Sequence, residues 1–366
     1  MTEYGKNIKI SIYGGSHSDE IGVIVRGLPS GIHLDREALQ AFLDRRAPGR
    51  GRYATARREP DAPIFLSGIE DDITNGEELC AVIRNTDRRS GDYDRNANVP
   101  RPSHADYAAR IKFRDHGEVA ELHGGGHFSA RLTAPLCIIG GILKNELERR
   151  GICVGAHIRN IAGIPDAPFD PVTVGRADFE RVLANGFPVL DREAGERMLT
   201  AVDAARADAD SVGGIVECAV IGLPVGLGEH MFDGMENRIS QIVFGIPAVK
   251  GIEFGSGFAG AMLRGSENND PFYTDGVRVM TRTNNSGGIQ GGMTNGMPIV
   301  FRVALKPTPS IAREQDSVDL LKMENVKLSV VGRHDPCIVP RAVPIVEAAA
   351  AVAVFDALLD KGELER

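Results

Sequence analysis

The feature that most restricts this chain is its last long apolar run, residues 342–359. The run is rich in alanine but holds Pro344, Glu347 and Asp356. Charges inside a membrane span are costly, and a span needs about 20 predominantly apolar residues. A helix that is apolar on all sides and yet carries such groups belongs inside a protein. The run predicts a buried, alanine-rich helix over 343–359, and a chain of 366 residues is long enough to bury a large core around it without staples.

The rest of the chain mixes strands and helices. Residues 8–13 and 22–28 read as short strands flanking a Gly/Ser turn. Asp35 can cap a helix running to about Arg46, with Leu39, Phe42 and Leu43 on one face. Residues 64–67, 79–84, 152–158, 214–221 and 299–305 read as strands, and 191–206 and 235–244 as amphipathic helices. Residues 45–60 lack apolar periodicity and are expected to form an exposed loop, and 86–112 are polar and irregular. Leu136, Ile138, Ile139, Ile142, Leu143 and Leu147 make a long apolar face ended by Gly151. Pro135 is compatible with that helix only in its first turn, so the helix starts near Thr133 or Ala134. Residues 124–131 then feed its N-terminus, a natural place for an anion. The elements do not alternate as βαβ units, which favours an α+β fold over a doubly wound sheet. No linker, repeat or low-complexity segment breaks the chain, so one domain over 1–366 is expected.

The net charge of −8 argues against a general nucleic-acid binder. The five cysteines, Cys80, Cys137, Cys153, Cys218 and Cys337, are odd in number and widely spaced, and none forms CxxC. That pattern suits a reducing compartment better than a disulfide framework or a zinc site. No cationic-then-apolar signal stretch opens the sequence, so a cytoplasmic location is expected.

Against the acidic balance stand Arg45, Arg46, Arg50, Arg52, Arg57 and Arg58, with no acid among them. Cations about 8 Å apart repel by roughly 0.5–2 kcal/mol per pair, depending on screening. Two arrangements offset this: pairing with Asp44, Glu59 and Asp61 in a solvated loop, or a shared anion site. The first is the commoner for an arginine-rich loop, and Arg88, Arg89 and Arg101, in other polar loops, strengthen the case for the second. Ser16-His17 is followed by Ser18, so it is no Gly-x-Ser-x-Gly nucleophile elbow. His104 and Asp106 are two apart, poor spacing for a closed metal site, and no HExxH or Cys/His cluster occurs, so no metal is expected. The glycines at 124–126, 255–257 and 287–292 match neither a Walker loop nor a dinucleotide fingerprint. They suit tight turns or, with Asn284-Asn285-Ser286, a large planar ligand held by backbone groups. Lys306-Pro307-Thr308-Pro309-Ser310 is a rigid loop able to cradle an anion, and Asp335 beside His334 can act as an acid/base pair or shape a turn.

Taken in order, Arg45-Arg46-Ala47-Pro48-Gly49, Asn85-Thr86-Asp87, Arg101-Pro102-Ser103-His104-Ala105-Asp106-Tyr107, Ala304-Leu305-Lys306-Pro307-Thr308 and Gly332-Arg333-His334-Asp335-Pro336-Cys337 resemble the chorismate synthase family from about residue 8 to 359. The resemblance implies a homotetramer of layered antiparallel sheets and helices. It also implies a 1,4-anti elimination of phosphate from 5-enolpyruvylshikimate 3-phosphate that needs reduced FMN. Carried over residue by residue, it assigns Arg46, Arg52, Arg101, Arg131 and Arg341 to the anionic groups of the substrate. It makes His17 the acid for the departing phosphate and His104 the keeper of the reduced flavin's protonation. Asp335, with Ser16, becomes the base for a flavin proton. His127, Phe128, Ser129, Pro247, Ala248, Gly291, Lys306, Pro307, Thr308, Pro309, Ser310 and Arg333 would hold the flavin. The Arg46 and Arg52 positions are also linked to NADPH where the family has flavin reductase activity.

This chain departs from the commonest family pattern in three places. Gly15 and Ser18 stand where Glu and Gly are usual around Ser-His, a change expected to loosen His17. His127-Phe128 and Leu132 replace Arg-Ser and Glu, and Pro247 replaces Asn. Two other readings of the whole are a noncatalytic binder of small anions on the same scaffold and a nucleic-acid module using residues 45–58.

Overall fold

The alanine-rich helix expected near the C-terminus is the centre of the molecule. In the computed structural model it runs Val339–Lys361, 23 residues, and residues 342–359 are buried without exception. The structure describes residues 3–49, 51, 53, 59–86, 98–115, 123–330 and 335–362, the side chains of 114, 115, 123 and 124 excepted. Among the described residues this is the one helix long and apolar enough to cross a membrane, and it lies wholly inside the protein. The two carboxylates within the buried stretch, Glu347 and Asp356, are satisfied there. Glu347 receives both terminal nitrogens of Arg45, at 2.6 and 2.8 Å, and Asp356 receives the amides of Asn7 and Ile8 and Nη1 of Arg238. Pairing of this kind is what lets a charge remain in a core.

Helix α1 (Arg36–Arg46) begins where Asp35 accepts from the Ala38 amide, and it buries Leu39, Phe42 and Leu43 as its spacing predicts. Helix α2 spans Asp106–Asp115, and helix α3 spans Thr133–Arg149 with Pro135 inside its first turn. Gly151, at φ +80, ends α3 in a Schellman arrangement: its amide bonds Glu148 O and the Ile152 amide bonds Leu147 O. Along its length α3 lies against the C-terminal helix so closely that a Cβ on Gly140 would sit 2.3 Å from Cβ of Ala348. Helix α1 touches both.

Two antiparallel five-stranded sheets flank this helical layer. The first runs Glu3–Tyr4, Lys9–Gly14, Glu20–Arg26, Leu79–Arg84, Ile64–Ser67 across its width, and the second Val249–Phe254, Ile299–Leu305, Gly214–Ile221, Cys153–Ile161, Ile164–Pro165. Helix α3 covers the first sheet at Glu20–Arg26 and Leu79–Arg84, and the C-terminal helix covers the second at Cys153–Ile161 and Gly214–Ile221. The result is sheet, helices, sheet: an α+β fold in layers. Branched residues such as Ile21, Val23 and Val25 fill the buried faces.

Two expectations need correction. The segment after α1 is no exposed loop at its start: Arg45 and Arg46 end the helix, and Arg46, Ala47 and Pro48 are buried. Within 86–112 the irregular stretch gives way to α2 at Asp106. Helix Arg176–Ala184, strand Val249–Phe254 and the hairpin Gln315–Asp319/Glu324–Leu328 also went unread. In that hairpin Gln315–Asp319 has no apolar face and only Leu328 of the partner strand is buried, so little alternation marks it.

Candidate functional site

The site begins at a β-turn. Between strands Lys9–Gly14 and Glu20–Arg26, the Ser18 amide bonds Gly15 O at 3.2 Å, which puts Ser16 and His17 at the two central positions. The Ser16 hydroxyl lies 3.0 Å from His17 Nδ1. The Ser16 amide reaches Gly126 O at 3.3 Å, tying this turn to the 3-10 segment His123–Phe128 that leads into α3. Gly125, in that segment, faces the second histidine: a Cβ on it would stand 3.6 Å from His104 Nε2.

His104 is held from behind. Its Nδ1 is 2.5 Å from Asp106 Oδ1 and 3.1 Å from Arg101 Nη2. One ring nitrogen cannot both donate to the carboxylate and accept from the guanidinium. The shorter contact makes Nδ1–H the donor to Asp106, which leaves Nε2 on the Gly125 side. Arg101 grips Asp106 with two bonds of 2.7 Å and reaches Ser310 Oγ at 3.2 Å. Burial alone would raise the Asp106 carboxyl, but Arg101 and His104 hold it well below the usual carboxylate range. Lys306 Nζ donates to Ser103 O at 2.8 Å, and its amide bonds Ala248 O. Burial, then the neighbouring Lys250, lowers its ammonium. The Thr308 hydroxyl is buried with no partner among the described residues.

On the other side of the turn lies a buried arginine cluster. Arg46 and Arg131, 1% and 5% exposed, both clasp the fully buried Asp61, and Arg131 also meets Glu59 at 3.1 Å. Arg46 reaches Thr133 Oγ1 at 3.3 Å. Arg341, bonded to Asp335, places its Nε 2.9 Å from Arg46 O. Burial pushes the Arg46 guanidinium down to about 10 against the pull of Asp61, so it stays charged at neutral pH. Asp61, despite burial, is held below the ordinary range by Arg46 and Arg131. Arg131 Nη2 is buried with no partner among the described residues. Asn85 joins the cluster to the histidine turn: its Oδ1 accepts from Arg131 Nε at 3.0 Å, and its Nδ2 donates to Ser18 O at 2.9 Å and Gly15 O at 3.2 Å.

Hydrogen bonds and close contacts thus run from Asp335 through Arg341, Arg46, Asp61, Arg131 and Asn85 to Ser16-His17. They continue through Gly126 and Gly125 to His104, Arg101, Ser310 and Lys306. Ser129, whose hydroxyl accepts from the Arg131 amide, belongs to the same run, and His127 and Phe128 beside it are exposed. Pro247, Ala248, Pro307 and Pro309 stand at the Lys306 end. Gly291 is not brought there: Gly292 O accepts the Met235 amide at the start of helix Met235–Val243, whereas Ala248 lies past the end of that helix. Arg50, Arg52, Arg57, Arg58, Arg88, Arg89 and Gly332-Arg333-His334 fall outside the described residues. Two of the glycine clusters pack on one another: a Cβ on Gly255 would lie 2.0 Å from Asn285 O and 2.4 Å from Gly287 N. Sequence reasoning missed Asp61, Asn85 and Asp106 as site residues. Only Asp106 left a local signal, two positions after His104 at the start of a helix.

Two histidines, a lysine and buried arginines around loop backbone, on an antiparallel α+β frame, define an enzyme built to handle a small polyanionic substrate. A sequence profile described as chorismate synthase matches residues 8–359. The chain is 45% identical to the chorismate synthase of Thermococcus gammatolerans over 97% of each chain. It is 44% identical to that of Lancefieldella parvula, over 97% of this chain and 95% of the relative. A crystal structure of a chorismate synthase superposes with a TM-score of 0.76 at 26% identity, over 98% of this chain and 93% of the other. The chain belongs to the chorismate synthase family: carbon–oxygen lyases that eliminate phosphate from 5-enolpyruvylshikimate 3-phosphate to form chorismate, the last common step toward the aromatic compounds.

Proposed function

We propose that the run of hydrogen bonds and close contacts from Asp335 to Lys306 is the centre of this elimination, with one domain carrying all of it. The observation that carries this reading is the linkage of both histidine loops to the arginine cluster through Gly126 and Asn85. His17, at the tip of its turn, donates a proton to the departing phosphate. Arg101, Arg131 and Arg341, with Arg52, bind the phosphate and the two carboxylates. The Arg131 nitrogen without a partner among the described residues supports this, because a buried donor in that state is normally completed by something bound. Arg46, sealed against Asp61 and Thr133, contributes charge and holds Arg131 and Arg341 in place.

The residues fit reduced FMN. The buried Thr308 hydroxyl without a partner, the Lys306 ammonium and the Ser310 hydroxyl are donors suited to a flavin phosphate. His127, Phe128, Ser129, Pro247, Ala248, Pro307 and Pro309 complete that side, Arg333 is assigned to the flavin by its motif alone, and Gly291 enters only where another part of the assembly supplies it. When bound, reduced FMN would supply a transient electron and an acceptor for the ring hydrogen. His104, its Nδ1–H fixed by Asp106, presents Nε2 to control protonation there, and Asp335, with Ser16, accepts a proton. The assembly in this reading is a cytoplasmic homotetramer. Phe258, Met262, Phe272 and Val279, all well exposed, support self-association.

The test is an anaerobic assay of protein, dithionite-reduced FMN and 5-enolpyruvylshikimate 3-phosphate, following chorismate in the ultraviolet, with oxidised FMN as control. Chorismate forms only with reduced flavin. His17→Gln lowers kcat by about 10²–10⁴-fold, the usual worth of a positioned acid, with little change in substrate affinity. An unchanged kcat in that variant would remove His17 from the mechanism. NADPH in place of dithionite decides whether the chain reduces its own flavin.

A further inference from the structure

We propose that Ser18 is a positioning residue for His17: its hydroxyl closes the β-turn that carries the acid and fastens that turn to the sheet. The inference rests on the reading of His17 given above. Three contacts argue for it. Ser18 Oγ accepts the Gly15 amide at 2.8 Å, and it lies 2.8 Å from Gly15 O and 2.6 Å from Glu20 O. A hydroxyl has one proton to give, and the shorter contact assigns it to Glu20 O, with Gly15 O as the alternative acceptor. The hydroxyl therefore bridges the first residue of the turn and the first residue of strand Glu20–Arg26, whose buried face is part of the core.

From the other side Asn85 holds the carbonyls of Gly15 and Ser18, and its own amide bonds Asp19 O at 2.9 Å. Both ends of the turn are thus pinned, and the two central residues, Ser16 and His17, have little room to rotate about the strand axis. Position 18 is commonly glycine in the pattern this chain resembles, and position 15 an acid. Neither glycine has a side chain to make these bonds. The loss of the acid at 15 was expected to loosen His17; the Ser18 hydroxyl supplies a fastening in its place. It does not touch a reacting atom. Its effect is on the orientation of the imidazole, and a misplacement of about 1 Å at such a group can cost up to 100-fold in rate.

The test compares Ser18→Ala, Ser18→Thr and His17→Gln in the anaerobic assay, with melting temperatures measured alongside. Ser18→Ala lowers kcat about tenfold, leaves KM for 5-enolpyruvylshikimate 3-phosphate within about twofold, and melts within about 3 °C of the parent. Ser18→Thr, which keeps the hydroxyl, returns kcat to within about threefold of the parent. A merely structural serine would shift the melting temperature and leave the kcat of the folded enzyme alone. If His17→Gln abolishes turnover while Ser18→Ala is silent, or while Ser18→Thr fails to rescue a stable Ser18→Ala, the positioning role is wrong and the acid stands. If His17→Gln keeps full turnover, the acid assignment fails and the positioning role fails with it.

Discussion

Two of the buried clusters of charge among the described residues differ in one respect. In the second sheet, His157 lies between Asp166 and Glu217 at 3.0 Å from each, wholly enclosed, with Phe169 edge-on to its ring at 4.4 Å. Asp166 also accepts the amides of Leu190 and Asp191, and Glu217 that of Phe169. No fully buried polar side-chain atom of this cluster is left without a partner among the described residues. Around Asp61 the arginines are as deeply buried, yet Arg131 Nη2 has no partner among the described residues and Asn85 leads the network out to the His17 turn. The closed cluster locks strands and loops to one another. The open one keeps donor capacity for something that binds. Burial and charge alone do not separate the two; completeness of hydrogen bonding does.

The largest effect comes from breaking the open cluster at its hub. Asp61→Asn leaves Arg46 and Arg131 buried without their shared anion, and should cost about 3–5 kcal/mol in denaturant unfolding together with most of the activity. A smaller loss is expected in the closed cluster: His157→Gln should destabilise by about 2–3 kcal/mol, with kcat per folded molecule unchanged. Its pH dependence sharpens the contrast. Burial lowers the His157 imidazolium, but Asp166 and Glu217 outweigh this and raise it above its ordinary 6.5. A raised folded value means the contribution is complete below that ordinary pH and is lost as pH rises through the folded one. The stability gap between parent and His157→Gln should therefore be widest near pH 6 and narrow toward alkaline pH. A gap independent of pH would show that the imidazolium is not what the cluster stabilises. The smallest effect is Arg131→Lys, which keeps the charge and loses the fork; KM should rise about tenfold, and an unchanged KM would mean that the unpartnered nitrogen serves no ligand.

Much of the frame was legible in the sequence. Strands Ile64–Ser67, Leu79–Arg84, Gly214–Ile221 and Ile299–Leu305 have the ends that alternation and turn residues indicated. Asp35 and Pro135 marked two helix starts correctly. The polar hairpin Gln315–Asp319/Glu324–Leu328 escaped because it buries no apolar stripe. In the site, the histidines and arginines stood out by type and motif, and Glu59 and Asp61 were named as partners for the nearby arginines; what the sequence did not show is that the pairing is buried and that Arg131, far along the chain, shares it.

By itself the sequence determined the class of fold, the buried final helix and the family. Local periodicity records which face of an element is apolar, and ordered motifs record ancestry. Only the tertiary structure decided which acid neutralises which arginine: Glu347 for Arg45, Asp61 for Arg46 and Arg131, Asp335 for Arg341. It also decided that Gly255 and Gly287 pack on one another. Such pairings join residues far apart in the chain, and their energy depends on separation and desolvation, which no local pattern of residues specifies.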